Sequence, residues 1–231
     1  MLGLFKLSFK NGVRRFKNNM TLKEKILHIN QILAVQYPTP LSALNWSTPW
    51  QMLVAAVLSA QTTDVMVNKV TDVLFQKYPT VQDFNNTDID ELMRFTQRIN
   101  YFRNKTSYLK EDARIIIEKY NGEVPDSLEE LIELKGIGRK VANVIIGDVF
   151  KKPVGIVVDT HVKRVSYRLG LTKNTDPVKI EQDLMVLLPQ QEWVNISHRL
   201  IFHGRNICIA RFPKCEICPL KEICDYYKKN L

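Results

Sequence analysis

A chain of 231 residues, 45% of them hydrophobic, suffices for one sizeable domain or two modest ones, and no apolar run approaches the roughly 20 residues that a membrane-spanning helix needs. It is therefore expected to be soluble, without a membrane partner. Thirty-three Lys and Arg against 24 Asp and Glu leave a formal charge of +9, a surplus that favours polyanionic partners through counterion release, nucleic acid ahead of an anionic membrane surface.

The first 20 residues, MLGLFKLSFKNGVRRFKNNM, carry five basic residues and no acidic one. They read as a basic N-terminal extension, a solvated tail, with an organelle presequence or a DNA-contacting arm as alternatives. From Thr21 onward helix punctuation recurs and strand alternation hardly appears, so the predicted fold class is all-α. Thr21 and Glu24 form a capping box for a helix that stops at Pro38, and Thr48 with Gln51 forms another, with Pro49 at the first helical position. The segment after Thr48, PWQMLVAAVLSA, is apolar almost all round and belongs at the centre of a bundle. Helices are predicted over Asp64 to Tyr78, Asp88 to Thr96, Phe102 to Tyr120, Asp126 to Glu133 and Arg139 to Phe150, punctuated by Pro79, Asn121-Gly122 and Pro153. VGIVVD, after Pro153, is the one extended piece. It leads into a helix from Thr160 to Leu169, ended by Gly170. Two more helices follow, one opened by Asp176 and Pro177, one after Pro189.

In LKGIGRKVANV, Leu134 to Val144, two short helices meet at Gly136-Ile137-Gly138. Residues without a Cβ let the chain turn sharply and another backbone approach. The amides beyond the turn are unpaired helix-start donors, a seat for one phosphate. A dinucleotide fingerprint needs G-x-G-x-x-G after a strand and a P-loop needs G-K-[ST]; neither is present. The alternatives are a plain αα-corner and a helix-hairpin-helix that grips a nucleic-acid backbone, the latter supported by Arg139 and the net charge. Lys140 falls in the first turn of the second helix, where the macrodipole favours a neutral amine. It is either a phosphate counter-ion or a nucleophile. A nucleophilic amine needs a carboxylate partner, and Asp159, between VGIVV and the helix opened by Thr160, is the candidate, with a simple N-cap as its other reading.

Cys208, Cys215, Cys218 and Cys224 are spaced C-x6-C-x2-C-x5-C. With no secretory signal, this points to a metal site in a reducing compartment, in which four thiolates suit either Zn2+ or a [4Fe-4S] cluster. Arg205, Arg211, Lys214, Lys221, Lys228 and Lys229 surround the cysteines, so the loop they organise is expected to face a polyanion. His28, His161, His198 and His203 are read as structural histidines.

LKGIGRKVANV, VVDTHVKRV and the cysteine spacing together resemble the endonuclease III family, bifunctional DNA glycosylases of the helix-hairpin-helix superfamily, over Thr21 to Tyr227. The resemblance implies a base-excision repair enzyme that flips an oxidised pyrimidine out of the duplex, cleaves its N-glycosidic bond and nicks the strand at the abasic site. Lys140 matches the lysine that attacks C1′ to form a Schiff base, and Asp159 the aspartate that assists it. The four cysteines match the [4Fe-4S] ligands, which decides against zinc. In LSAQTTD, Gln61 matches the glutamine that fills the gap left by the extruded nucleotide, and Asp64 lies beside it. Gly136, Gly138 and Arg139 take the DNA-contacting hairpin positions. Where the family usually reads G-[LF]-Y-x-x-K-A, this chain has Asn100-Tyr101-Phe102-Arg103-Asn104-Lys105-Thr106. Tyr101 thus takes the position of the wedging residue, with a place in the bundle core as its other reading.

The expected architecture is two-lobed: residues 42–152 as a helical bundle with the hairpin, and 21–41 with 153–231 as an iron-sulfur lobe. The expected partner is double-stranded DNA with a damaged base or abasic site, bound by a monomer in the cleft between the lobes. The expected location is intracellular, with the nucleoid, organelle import through residues 1–20 being the alternative. Two rival functions are a mismatch adenine glycosylase of the same superfamily, disfavoured by Lys140 and SAQTTD, and a non-catalytic DNA-binding module.

Overall fold

The computed structural model describes residues 20–40 and 42–230; the basic segment 1–19, and with it the reading of an N-terminal arm or presequence, lies outside them. The described residues are helical, with no strand, as an all-α reading requires.

Local chemistry sets most boundaries. α1 (Leu22–Gln36) begins at the Thr21–Glu24 capping box, and α2 (Pro49–Ser59) begins at Thr48, whose hydroxyl accepts from the Gln51 amide. α3 (Asp64–Lys77) is capped by Thr63, and α4 (Val81–Asn86) by a Thr80–Asp83 box. The latter helix was not expected, because its box carries Asp in place of the usual Glu or Gln. α5 (Ile89–Thr96) and α6 (Phe102–Tyr120) follow, then α7 (Leu128–Leu131) and α8 (Arg139–Asp148), both shorter than predicted. VGIVVD is extended but pairs with no strand. α9 (Thr160–Leu169) ends at Gly170 in the left-handed conformation. α10 (Pro177–Leu187), α11 (Trp193–Asn206) and a further unexpected helix, α12 (Asp225–Asn230), complete the chain.

Among the described residues the apolar side chains gather into two cores. In the first, α2 is buried from Trp50 to Leu58 and is surrounded by α3 to α8. The second joins α1 to α9, α10 and α11, with Leu220 and Ile223 from the cysteine-bearing segment. The chain passes between them in the extended stretch after Pro153: Val154 packs on the first core, Ile156 and Val158 on the second. A serine pins this crossing. Ser197 Oγ accepts from the Val157 amide at 3.0 Å and donates to Trp193 O at 2.8 Å, so the polar backbone of a buried segment is satisfied without a sheet.

Candidate active site and nucleic-acid interface

Asp159 leaves the buried Ile156–Val158 run as the N-cap of α9, where its Oδ1 accepts the amides of His161 and Val162, each at 2.8 Å. Those two bonds fix the carboxylate's direction. Lys140 is exposed on the first turn of α8. The two residues, predicted as a pair, line one cavity of about 120 Å3 together with Ser59, Asp64, His198 and Arg205. An amine and a carboxylate at two helix N-termini, facing one cleft, can attack an electrophilic carbon and steady the positive charge that develops.

Asp64 and Arg205 form an ion pair at 2.8 Å beside that cleft, joining the start of α3 to the end of α11. Arg205, expected beside the cysteine loop, is thus drawn to the cavity. His198 also lines the cavity, and its Nε2 meets the buried Asp148 Oδ1 at 2.7 Å. Sequence reasoning gave neither Arg205 nor His198 a place there, since nothing local links them to Lys140, Asp159 or Asp64.

The hairpin is built on its glycines for two different reasons. Gly136 has φ 72°, a conformation that requires glycine, and the Tyr108 ring stands 3.0 Å from where a Cβ would be. Gly138 caps α8 without any side chain, and a Cβ there would meet nothing within 4 Å. Its missing side chain therefore leaves the outer face open, with the first amides of α8 uncapped. Behind the turn, the fully buried Asp112 of α6 accepts the Lys135 amide through Oδ1 at 2.7 Å. Burial pushes the Asp112 carboxyl up to about 7, against the opposing pull of that amide. Arg139, exposed at the start of α8, reaches across to the second core. Its Nε and Nη2 donate to Oε2 and Oε1 of Glu181 at 2.8 and 3.2 Å, and Asn143 Nδ2 donates to the same Oε1 at 2.9 Å.

Gln61 and Tyr101 stand on neighbouring loops, both exposed and both in the left-handed region, with φ 57° and 60°. Tyr101 is 65% exposed, so it is not part of the bundle core; Phe102 is the member of the pair that packs there.

The four cysteines line one cavity with Arg168, His203 and Tyr226. Arg168 stacks on Tyr226, donates to Cys208 Sγ at 3.4 Å, and holds the carbonyls of Ile209 and Ala210 at 2.8 and 3.0 Å. Cys218 Sγ lies 3.6 Å from His203 Nε2. Burial raises the Cys218 thiol to about 11, reinforced by the neighbouring thiols. Among the described residues no group of three or more His, Cys, Asp or Glu could hold a single metal ion.

With this geometry in view, the family model for HhH-GPD superfamily base excision DNA repair proteins matches residues 54–190. Endonuclease III of Synechocystis sp. is 46% identical over 202 residues, 87% of this chain and 92% of that protein. The chain belongs to the endonuclease III family. Endonuclease III of Bacillus subtilis is 44% identical over 80% of this chain and 84% of its own length. A solved endonuclease III trapped as a covalent intermediate with DNA superposes with a TM-score of 0.85 at 41% identity, covering 91% of this chain and 99% of that one. As a member of this family, the protein is a base-excision repair DNA glycosylase with an abasic-site lyase activity. No described helix is long and apolar enough to cross a membrane.

Proposed function

We propose that Lys140 and Asp159 carry both steps of this activity, removal of an oxidised pyrimidine and incision at the resulting abasic site. The observation that supports this reading is their convergence on one cleft from the starts of two different helices. Lys140 Nζ, as the free amine, attacks C1′ of a nucleotide turned out of the duplex. The C1′–N bond breaks with its electron pair leaving on the base, which is protonated, and a C1′–Nζ bond forms. Asp159, held by two amides, steadies the positive charge at C1′ and accepts the proton that the attacking amine loses. Asp159 returns that proton to O4′ as the C1′–O4′ bond breaks, and this ring opening leaves an iminium, which acidifies the C2′ hydrogen. Its removal expels the 3′ phosphate, and water then releases Lys140.

Gly136 and Gly138 let a strand's backbone come against the open amides of α8, Gln61 and Tyr101 enter the space left by the rotated nucleotide, and Asp64 lines the pocket that receives it. Arg139 braces the hairpin through Glu181 and, from its exposed side, contacts the DNA backbone there. The bundle of residues 42–152 and the lobe formed by 21–41 with 153–231 are the two walls of the DNA cleft, a division supported by the two separate cores. The protein works as a monomer inside the cell, on chromosomal DNA. Cys208, Cys215, Cys218 and Cys224 hold a [4Fe-4S] cluster, supported by four thiols that line one cavity. The bound cluster supplies a rigid cross-link for the basic loop at the DNA.

Borohydride trapping on abasic duplex DNA tests the assignment. A covalent adduct is expected with the natural chain and none with Lys140→Gln that still folds and binds DNA. An undiminished adduct in that variant would overturn the role of Lys140.

A further inference from the structure

Gln61 and Tyr101 lie on loops separated in sequence, yet both occupy a backbone conformation that side chains other than glycine rarely adopt. Neither loop explains this by itself. Gln61 lies two residues past the last turn of α2, and Tyr101 caps α6 without any side-chain hydrogen bond. The two are tied together through Asn100. Its Nδ2 donates to Gln61 O at 2.5 Å, and its backbone amide donates to Thr62 Oγ1 at 3.2 Å. One turn into α6, the buried Lys105 donates to the carbonyls of Leu58 and Ala60 at 2.8 and 2.5 Å. The start of α6 therefore grips the end of α2 on both sides of Gln61, and the grip on Gln61 itself comes from a side-chain donor that glycine lacks.

We infer that Asn100 is a positioning residue that couples Gln61 to Tyr101, so that the ring that parts the base stack and the amide that fills the vacated space enter the duplex as one rigid unit. The inference rests on the proposal that these two residues contact DNA. With the unit intact, losing either member displaces the other, and the second loss then adds little. With Asn100 removed, each residue acts alone and their effects multiply.

The test is single-turnover base release from a duplex carrying one oxidised pyrimidine, measured for the natural chain, Gln61→Ala, Tyr101→Ala and the double variant, and for the same four combined with Asn100→Ala. Folding of each is checked by its urea midpoint. With Asn100 present, the double variant is expected to be at least about 5-fold faster than the product of the single effects predicts. With Asn100→Ala that excess disappears. Should Asn100→Ala unfold, Asn100→Asp replaces it, keeping the shape while offering no donor to the Gln61 carbonyl. Multiplicative effects with Asn100 present, or an excess that survives its replacement, would overturn the coupling alone. If neither Gln61→Ala nor Tyr101→Ala slows base release, the DNA-contact reading falls and the coupling falls with it.

Discussion

Arg139, one residue before the lysine of the hairpin, holds Glu181 of α10 in a two-point grip across the junction of the two cores. Glu181 is 4% exposed and also receives Asn143, while a Cβ on Gly155 would stand 2.2 Å from its Oε1. The hairpin is thus anchored to the opposite core by the residue that follows its second glycine. Glu181→Ala leaves Asn143 and the inner face of Arg139 without a partner, at an expected cost of about 2 kcal/mol, below the range for a fully buried pair because Arg139 is partly exposed. In a chain of this size that lowers the thermal midpoint by roughly 4–8 °C. Gly155→Ala should destabilise as well, by displacing the same carboxylate, and calorimetry of both variants checks the pair.

Lys140→Gln is expected to reduce incision of abasic DNA by roughly 10³-fold or more while leaving the urea midpoint near that of the natural chain, since Lys140 is exposed. Asp159→Asn separates chemistry from folding differently. Asn serves as an N-cap as well as Asp does, so the bonds to His161 and Val162 survive. Base release should fall by about 10²-fold or more, and a denaturation curve should move by less than about 1 kcal/mol. Full turnover in Asp159→Asn would remove that residue from the mechanism.

Asp112 gives the hairpin a pH-dependent anchor. Its carboxyl titrates at about 7 in the folded chain against 3.8 ordinarily, with burial the largest cause and Glu111 adding to it, while the Lys135 amide and charge oppose. Between those two values the folded chain retains a proton that the unfolded chain has released. The stabilisation is complete below the lower value and is lost as the pH rises through the upper one. Asp112→Asn keeps an oxygen for the Lys135 amide and does not titrate. The difference between the urea-unfolding energies of the natural chain and Asp112→Asn should therefore shift against the natural chain from about pH 4 to pH 7. A difference independent of pH over that range would show that the carboxyl titrates normally.

Replacing Cys215 or Cys218 by serine should remove iron and sulfide from the purified protein together with its visible absorption, and should weaken DNA binding by loosening the loop that Arg168 helps to hold. Metal analysis of the natural chain decides the cofactor directly. Zinc in place of iron would refute it.

Affinity for undamaged duplex should fall steeply with salt, because a chain of net charge +9 displaces condensed counterions on binding. Titration at several salt concentrations measures the slope. Arg211→Gln with Lys214→Gln, in the basic loop between Cys208 and Cys215, should lower its magnitude by roughly 2 if both meet phosphates.

The sequence by itself determined what depends on neighbours along the chain. Thr21, Thr48, Asp176 and Gly170 mark helix ends through bonds to amides or carbonyls a few residues away, and the apolar periodicity between them identifies an all-α chain. The short motifs around Lys140, Asp159 and the cysteines were legible for the same reason, as was the family. Tertiary structure alone decided which polar groups meet across long separations. Nothing near Arg139 in the sequence announces its grip on Glu181, 42 positions on. Asn100 reads as a departure at a turn until its amide is seen on Gln61, and Asp112 as an ordinary helix residue until the hairpin closes over it. Hydrophobic periodicity specifies which face of a helix turns inward, but not which donor on one helix finds which acceptor on another; that depends on how the packed helices are placed in space.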